Sequence, residues 1–137
     1  MLIDSKLYQK LMNADILELV LKGSPGGKGL VVIGNAKVAQ NFAYFVDPKN
    51  IHKEDIIVVP FAYPPDEPYI ERSAGLITDR GTCLSHGSII CHYLDKPCVP
   101  GTTNGTSKLK NGEKIVVDGG VGTVYRVKDS YALVLNI

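Results

Sequence analysis

The chain has 137 residues, enough for one domain with a sizeable core, and its 45% hydrophobic and 21% charged fractions exclude a disordered chain. A formal net charge of +1 with no basic run gives no footprint for nucleic acid or an anionic membrane. No apolar run approaches the roughly 18 residues that span a bilayer, and three cysteines without a secretory signal point to a reducing cytoplasm rather than a disulfide scaffold.

In chain order, Ser5–Asn13 has the spacing of a short amphipathic helix, with Leu7 and Leu11 one turn apart and Asp4 or Ser5 as its cap. From Ile16, Leu17, Leu19 and Leu21 alternate with Glu18, Val20 and Lys22, which predicts a strand. Gly23-Ser24-Pro25-Gly26-Gly27-Lys28-Gly29 invites a phosphate-loop reading but fails on spacing: Lys22 stands where a Walker loop needs its first glycine, and Gly29 where it needs Ser or Thr. A bend between strands is the better account.

Gly29–Gly34 predicts a buried strand, Lys37–Tyr44 a short helix or an irregular connection, and Asp47-Pro48-Lys49-Asn50 a turn. Asp55–Pro60 reads as a central apolar strand ended by its proline, and Phe61–Pro68, with three prolines, as an ordered loop without regular structure. Further on, Thr102–Ser107 reads as polar and flexible. Lys114–Asp118 and Gly122–Arg126 read as a hairpin turning at Gly119-Gly120-Val121, and Tyr131–Leu135 as a last strand. Many short strands with one or two helices predict a single α+β domain of layered β/β/α type.

The chemistry concentrates in Gly75–Gly101. A short apolar run, Gly75-Leu76-Ile77, passes through the turn Thr78-Asp79-Arg80-Gly81 to Ser85-His86-Gly87 and a helix over Ser88–Leu94. Strand, glycine turn and helix place His86 at a helix N-terminus, where free amides and the positive end of the dipole favour an anion. Imidazole is nucleophilic near neutral pH, and a phosphoryl group on its nitrogen stays labile enough to be passed on. His86 is therefore the candidate phosphoryl acceptor. Backbone amides of Gly87 and Ser88 are placed to cradle phosphoryl oxygens, and Thr78, Ser85 and Arg80 to add donors. The plainer reading of His86, a hydrogen-bonded helix-start residue, fits the pattern less well, whereas Arg80 serves equally well as an ion-pair partner of Asp79 or Glu71.

Other chemistries fit less well. His52 sits among Lys49, Lys53 and Glu54 and reads as surface, and His92, six residues beyond His86, as a packing or capping residue. Cys83, His86, Cys91, His92 and Cys98 carry ligand atoms, but no tight ligand pair marks a zinc site, and Cys91 and Cys98 read as small buried residues. A serine hydrolase lacks its G-x-S-x-G elbow, and no activating partner for a Cys83 thiol nucleophile is identified in the sequence.

The residues also carry a resemblance. Thr78-Asp79-Arg80-Gly81, Leu84-Ser85-His86 and Lys96-Pro97-Cys98-Val99-Pro100-Gly101 resemble the swivelling phosphohistidine domain of the PEP-utilising enzymes, such as phosphoenolpyruvate synthase and pyruvate phosphate dikinase. Gly23-Ser24-Pro25-Gly26, Asp55–Pro60 and Lys114–Gly122 are similar to further segments of that family, so the likeness runs from about Lys22 to Tyr125. It implies residues 22–137 as the mobile domain, with 1–21 as an added N-terminal helix and first strand, either a docking element or a cap on the sheet. The chain departs at Gly81-Thr82 (usually two glycines), at His86-Gly87-Ser88 (usually His-Ala-Ala) and at Cys91-His92-Tyr93-Leu94-Asp95 (usually Ala-Arg-Glu-Leu-Gly).

The resemblance implies that His86 shuttles a phosphoryl group between a nucleotide-binding ATP-grasp partner and an acceptor-binding subunit, in trans. The domain itself would bind no cofactor or metal, ATP and Mg sitting on the partner, so it would be a phosphotransferase component incomplete alone. Two other readings share the fold: a non-catalytic interaction or regulatory module, and a swivelling subunit of a dehydratase-like enzyme.

Overall fold

The computed structural model describes residues 1–128. Strand β1 (Leu2–Ile3) leads into helix α1 (Ser5–Asn13), capped by Asp4, whose carboxylate accepts from the Leu7 amide at 2.8 Å. There follow β2 (Leu17–Lys22), β3 (Gly26–Gly27), β4 (Val31–Val38), β5 (Asp55–Val59), α2 (Glu67–Arg72) and β6 (Gly75–Thr78). The described chain is completed by α3 (His86–Tyr93), β7 (Pro97–Val99), α4 (Gly105–Lys108), β8 (Lys114–Asp118) and β9 (Thr123–Val127). The strand predicted over Tyr131–Leu135 lies outside the described residues.

All the described strands belong to one sheet, ordered β2-β9-β8-β4-β5-β6-β7-β3, with β1 beside β4. From β4 to β7 neighbours run parallel, as in Asn35 opposite Asp55 and Ile57 opposite Leu76; β2, β9, β8 and β4 are antiparallel. The two ends, β2 and β3, are joined by residues 23–25, where Gly23 N donates to Gly122 O and Ser24 N to Pro100 O, each at 2.9 Å. So short a link between opposite edges folds the sheet onto itself.

Alternation along the strands then sorts side chains into layers. Val32, Ile56, Val58, Ile77, Val99, Ile115, Val117 and Val124 meet inside the folded sheet. Ile57, Val59, Leu76 and Cys98 face outward under α2, α3 and a 3-10 turn at Phe42–Phe45. Ile33, Val116 and Val127 face the other way under Leu11 of α1, so the N-terminal helix caps the sheet. The result is the β/β/α layering expected, with one extra helix. Ile77 is fully enclosed in the middle layer, and Ile77→Ala is expected to cost about 2–5 kcal/mol in a urea unfolding curve.

Several local expectations change. Leu19 is exposed, and a register shift of β2 between Leu19 and Leu21 puts Leu17 under α1 but Leu21 inside the folded sheet. Strand β4 runs on through Lys37 and Val38, where polar Asn35 and Lys37 had hidden it; Lys37 Nζ reaches Asp55 at 3.6 Å and Asn50 O at 2.6 Å. The proline-rich loop contains a 3-10 turn at Pro64–Asp66 and then starts α2, with Pro68 in the first helical turn, where a missing N–H costs nothing. Pro97 opens β7, a strand the sequence did not suggest. The stretch expected to be flexible, Thr102–Ser107, is anchored: Thr102 is buried, its amide and hydroxyl both donating to Thr78 O at 3.1 and 3.0 Å.

Candidate functional site

The site grows from the carboxyl end of β6. Beyond Thr78 the chain stays tied to its neighbour: Asp79 N donates to Val59 O at 3.2 Å and Arg80 N to Pro60 O at 3.0 Å. The Asp79 carboxylate points the other way and accepts from Thr106 N at 2.9 Å and Thr106 Oγ1 at 2.5 Å, pinning α4 against the turn. Sequence reasoning gave Asp79 no such role; its short acceptor side chain inside a turn was the available signal. Thr106→Val is expected to cost about 1–3 kcal/mol, by loss of a hydrogen bond to a charged group, read from thermal unfolding.

Gly81 then turns the chain at φ +114°, where a Cβ would also lie 2.7 Å from Ser85 Oγ. Residues 82–85 close a turn on their own side chains: Thr82 N donates to Ser85 Oγ at 2.7 Å, and Leu84 N to Thr82 Oγ1 at 3.1 Å. Ser85 is the N-cap of α3, but with its oxygen engaged upstream it makes no side-chain cap bond. The first helical bond runs from Ile89 N to Ser85 O at 3.0 Å, so the amides of His86, Gly87 and Ser88 precede any intrahelical acceptor.

His86 is the first residue of α3 and is half-buried; its Nε2 is screened from solvent and has no hydrogen-bond partner among the described residues. Directly beneath, a Cβ on Gly87 would lie 2.8 Å from Leu76 Cδ2 and 3.1 Å from Ala62 Cβ. Glycine lets the helix start sit on the sheet at this distance. Ser88 is buried, its Oγ accepting from Gly27 N at 3.0 Å, and His92 Nδ1 lies 3.1 Å from Gly27 O. Both bonds bind α3 to β3, so the glycine-rich turn is a seat for this helix.

The other candidates are placed as follows. Thr78 is buried and donates its hydroxyl to Arg80 O at 2.8 Å. Arg80 is exposed and forms no ion pair with Asp79 or Glu71. Thus His86, Ser85, Gly87, Ser88, Thr78 and Arg80 are gathered on one strand–turn–helix segment, with the Thr78 hydroxyl donating to Arg80 O and the Ser85 and Ser88 oxygens accepting from Thr82 N and Gly27 N. Cys91 and Cys98 are fully buried; the Cys98 thiol is held well above its usual pKa by its hydrogen bond to Cys91, and then by burial. Those two are core residues, as expected, while Cys83 is exposed and His52 lies on the surface. Around His86, Leu84, Ile89 and Tyr93 leave apolar side chains in solvent at 79%, 53% and 78% exposure.

This strand–turn–helix segment, ending on an imidazole whose Nε2 has no partner among the described residues, lies in a stretch that matches a known domain. Residues 51–122 match the model of the family described as "PEP-utilising enzyme, mobile domain", more than half the chain. The chain belongs to this family. Phosphoenolpyruvate synthase of Aeropyrum pernix is 34% identical over 79% of this chain, and that of Pyrococcus furiosus 37% identical over 80%. The chain spans 13% of the length of each. Among solved structures, an NMR structure of Enzyme I superposes with TM-score 0.54 at 28% identity, covering 64% of this chain and 36% of that one. Thermococcus kodakaraensis aconitase X superposes at 0.56 over 81% of this chain and 99% of that one, and at 18% identity shares the fold alone. The matched residues of the mobile domain contain β5, β6, α3, β7 and β8, hence the whole of the site. No helix among the described residues is long and apolar enough to cross a membrane.

Proposed function

We propose that this mobile domain is a phosphoryl carrier whose His86 is transiently phosphorylated, as one component of a phosphotransferase resembling phosphoenolpyruvate synthase. The observation that carries the reading is His86 itself: in a chain of this family, the motif histidine opens α3 with an unpaired ring nitrogen beside three amides that lack helical acceptors. An imidazole nitrogen attacks the donor's phosphorus, a P–N bond forms, and the bond to the leaving oxygen breaks with its electron pair going to that oxygen; the second transfer reverses these roles. The amides of Gly87 and Ser88 receive the phosphoryl oxygens, and Arg80 adds positive charge from the approach loop. Thr78, whose hydroxyl donates to Arg80 O, holds the loop in shape, while Ser85, whose Oγ accepts from Thr82 N, keeps its own O–H as a donor for a phosphoryl oxygen. Because Nε2 is screened, the imidazole must swing out of its resting position to react through that atom, a side-chain motion rather than a fold change.

The donor site belongs to a nucleotide-binding partner of ATP-grasp type carrying ATP and Mg, and the acceptor site to another unit. Leu84, Ile89 and Tyr93 around His86 are apolar surface of the kind a docking partner covers. They also favour, as a second reading, an interaction module that kept the fold without the chemistry. The test is intact-mass spectrometry of the chain incubated with the nucleotide-binding partner and ATP, and separately with phosphoenolpyruvate. One acid-labile phosphoryl group per chain is expected under at least one donor. A folded chain that takes up none, beside an active control carrier, leaves the interaction module.

A further inference from the structure

Beside the loop that carries His86, a cleft of about 400 Å³ opens at the carboxyl ends of β4, β5 and β6. Its walls combine Asn41, Phe61, Tyr63, Asp66 and Arg80. The volume suits a small-molecule site, and the carboxyl ends of parallel strands are where α/β sheets hold ligands. Four features give the cleft a chemical identity. Phe61 and Tyr63 pack edge to face with centroids 5.1 Å apart, and Tyr63 remains 56% exposed, so an aromatic surface faces the opening uncovered. Arg80, a planar fork of donors, has no ion pair among the described residues. Asp66 accepts the Tyr63 amide at 2.8 Å through Oδ2, and no described hydrogen bond takes Oδ1. Asn41 likewise caps Tyr44 N at 3.2 Å through Oδ1, leaving its amide nitrogen as a donor.

A cation and a carboxylate that line one cleft without neutralising each other, beside an open aromatic face, ask for a ligand with three different parts. A bare anion has no use for the rings, and an apolar molecule would leave both charges unanswered. We infer that this cleft binds a ribonucleotide, its base stacked on Tyr63, its ribose hydroxyls on Asp66 and its phosphate on Arg80. This goes beyond the carrier reading and does not require phosphorylation of His86: it gives this chain its own nucleotide contact, where the sequence alone assigns the nucleotide to a partner. The similar-sized cleft between the glycine-rich turn and α3 carries no such inference. Its amides at Gly27 and Gly120 are taken by Ser88 Oγ and Asp118 Oδ1, and its walls hold no Lys, Arg, Asp or Glu.

The test is a titration of the unphosphorylated chain with adenosine 5′-monophosphate, followed by amide and side-chain NMR shifts, alongside inorganic phosphate and adenosine as separate probes. Saturable shifts are expected at Phe61, Tyr63, Asp66 and Arg80. Arg80→Ala should weaken the mononucleotide about ten-fold or more, by loss of a charge-assisted contact. Tyr63→Ala should weaken the mononucleotide while leaving inorganic phosphate unaffected. Absence of saturation at millimolar mononucleotide overturns the inference. So does phosphate binding as tightly as the mononucleotide, or shifts confined to His86 and Gly87 with Arg80→Ala binding within two-fold of the parent. Since no phosphoryl transfer enters this measurement, its failure leaves the carrier reading standing, and a silent His86 leaves the cleft standing.

Discussion

His86→Asn is expected to abolish uptake of the acid-labile phosphoryl group while leaving the fold nearly as stable as the parent. The two halves of that expectation rest on the same atom. Nε2 has no hydrogen-bond partner among the described residues, so replacing the ring breaks no hydrogen bond at that nitrogen. The loss is the packing of one half-buried side chain, about 1–2 kcal/mol. Asparagine is tolerated at a helix start and keeps a polar group there. It has no nucleophilic nitrogen, however, and the covalent intermediate disappears with the imidazole. Intact mass after incubation with either donor reads the first half, and thermal unfolding the second. Phosphorylation of the asparagine variant would move the acceptor to another residue, and acid stability of that adduct would point to a hydroxyl such as the exposed loop's Thr82. A large drop in stability with no phosphoryl uptake by the parent would make His86 a structural residue and favour the interaction module.

The fold class and the place of His86 at a helix start were legible in the sequence, while several loops and strand ends around them were not. His86 at a helix start was legible because glycine, serine and histidine follow a short apolar run, and each of those residue types has a local geometric reason to be there. The same local logic found α1 through Asp4, and β8 and β9 through alternation broken by Gly119-Gly120. It failed where tertiary contacts overrode composition. Asn35 and Lys37 sit in a central strand because Lys37 finds Asp55 and Asn50. Thr102–Ser107 is polar yet ordered because its hydroxyls and amides serve Thr78 and Asp79. Ser85 occupies the N-cap position, as its type suggests, but spends its oxygen on Thr82 N instead. Hydrogen-bond partners of that sort lie across the fold or depend on loop shape, and no periodicity announces them. The cleft at Arg80 was hidden for the same reason: Asn41, Phe61, Asp66 and Arg80 come from three strand ends that only the parallel pairing brings together.

Gly26→Val is expected to destabilise the protein by about 3 kcal/mol or more, at the upper end of overpacking effects, and to impair phosphoryl uptake in the fraction that folds. A Cβ at Gly26 would stand 2.5 Å from Ser88 Oγ, 3.0 Å from Pro100 Cδ and 3.1 Å from Cys98 O. Two of those neighbours are a buried side chain of α3 and the backbone of β7, so the conflict cannot be relieved by one flexible tip. Relief means parting β3 from α3, which stretches the Gly27 N to Ser88 Oγ bond and the contact of His92 Nδ1 with Gly27 O. Those bonds fix the helix that begins at His86, two residues before Ser88, and a tilt there displaces the amides proposed to receive the phosphoryl oxygens. Gly29→Ala is the matched control in the same turn: its Cβ would meet only Gly120 Cα, at 3.7 Å, and the change should stay within about 0.5 kcal/mol. Urea unfolding of both variants, with intact-mass phosphorylation of each, separates the two accounts of this glycine-rich stretch. Equal effects would make it a simple bend between strands. A large effect at Gly26 alone, felt at His86 some sixty residues away, makes it the seat of the helix that carries His86.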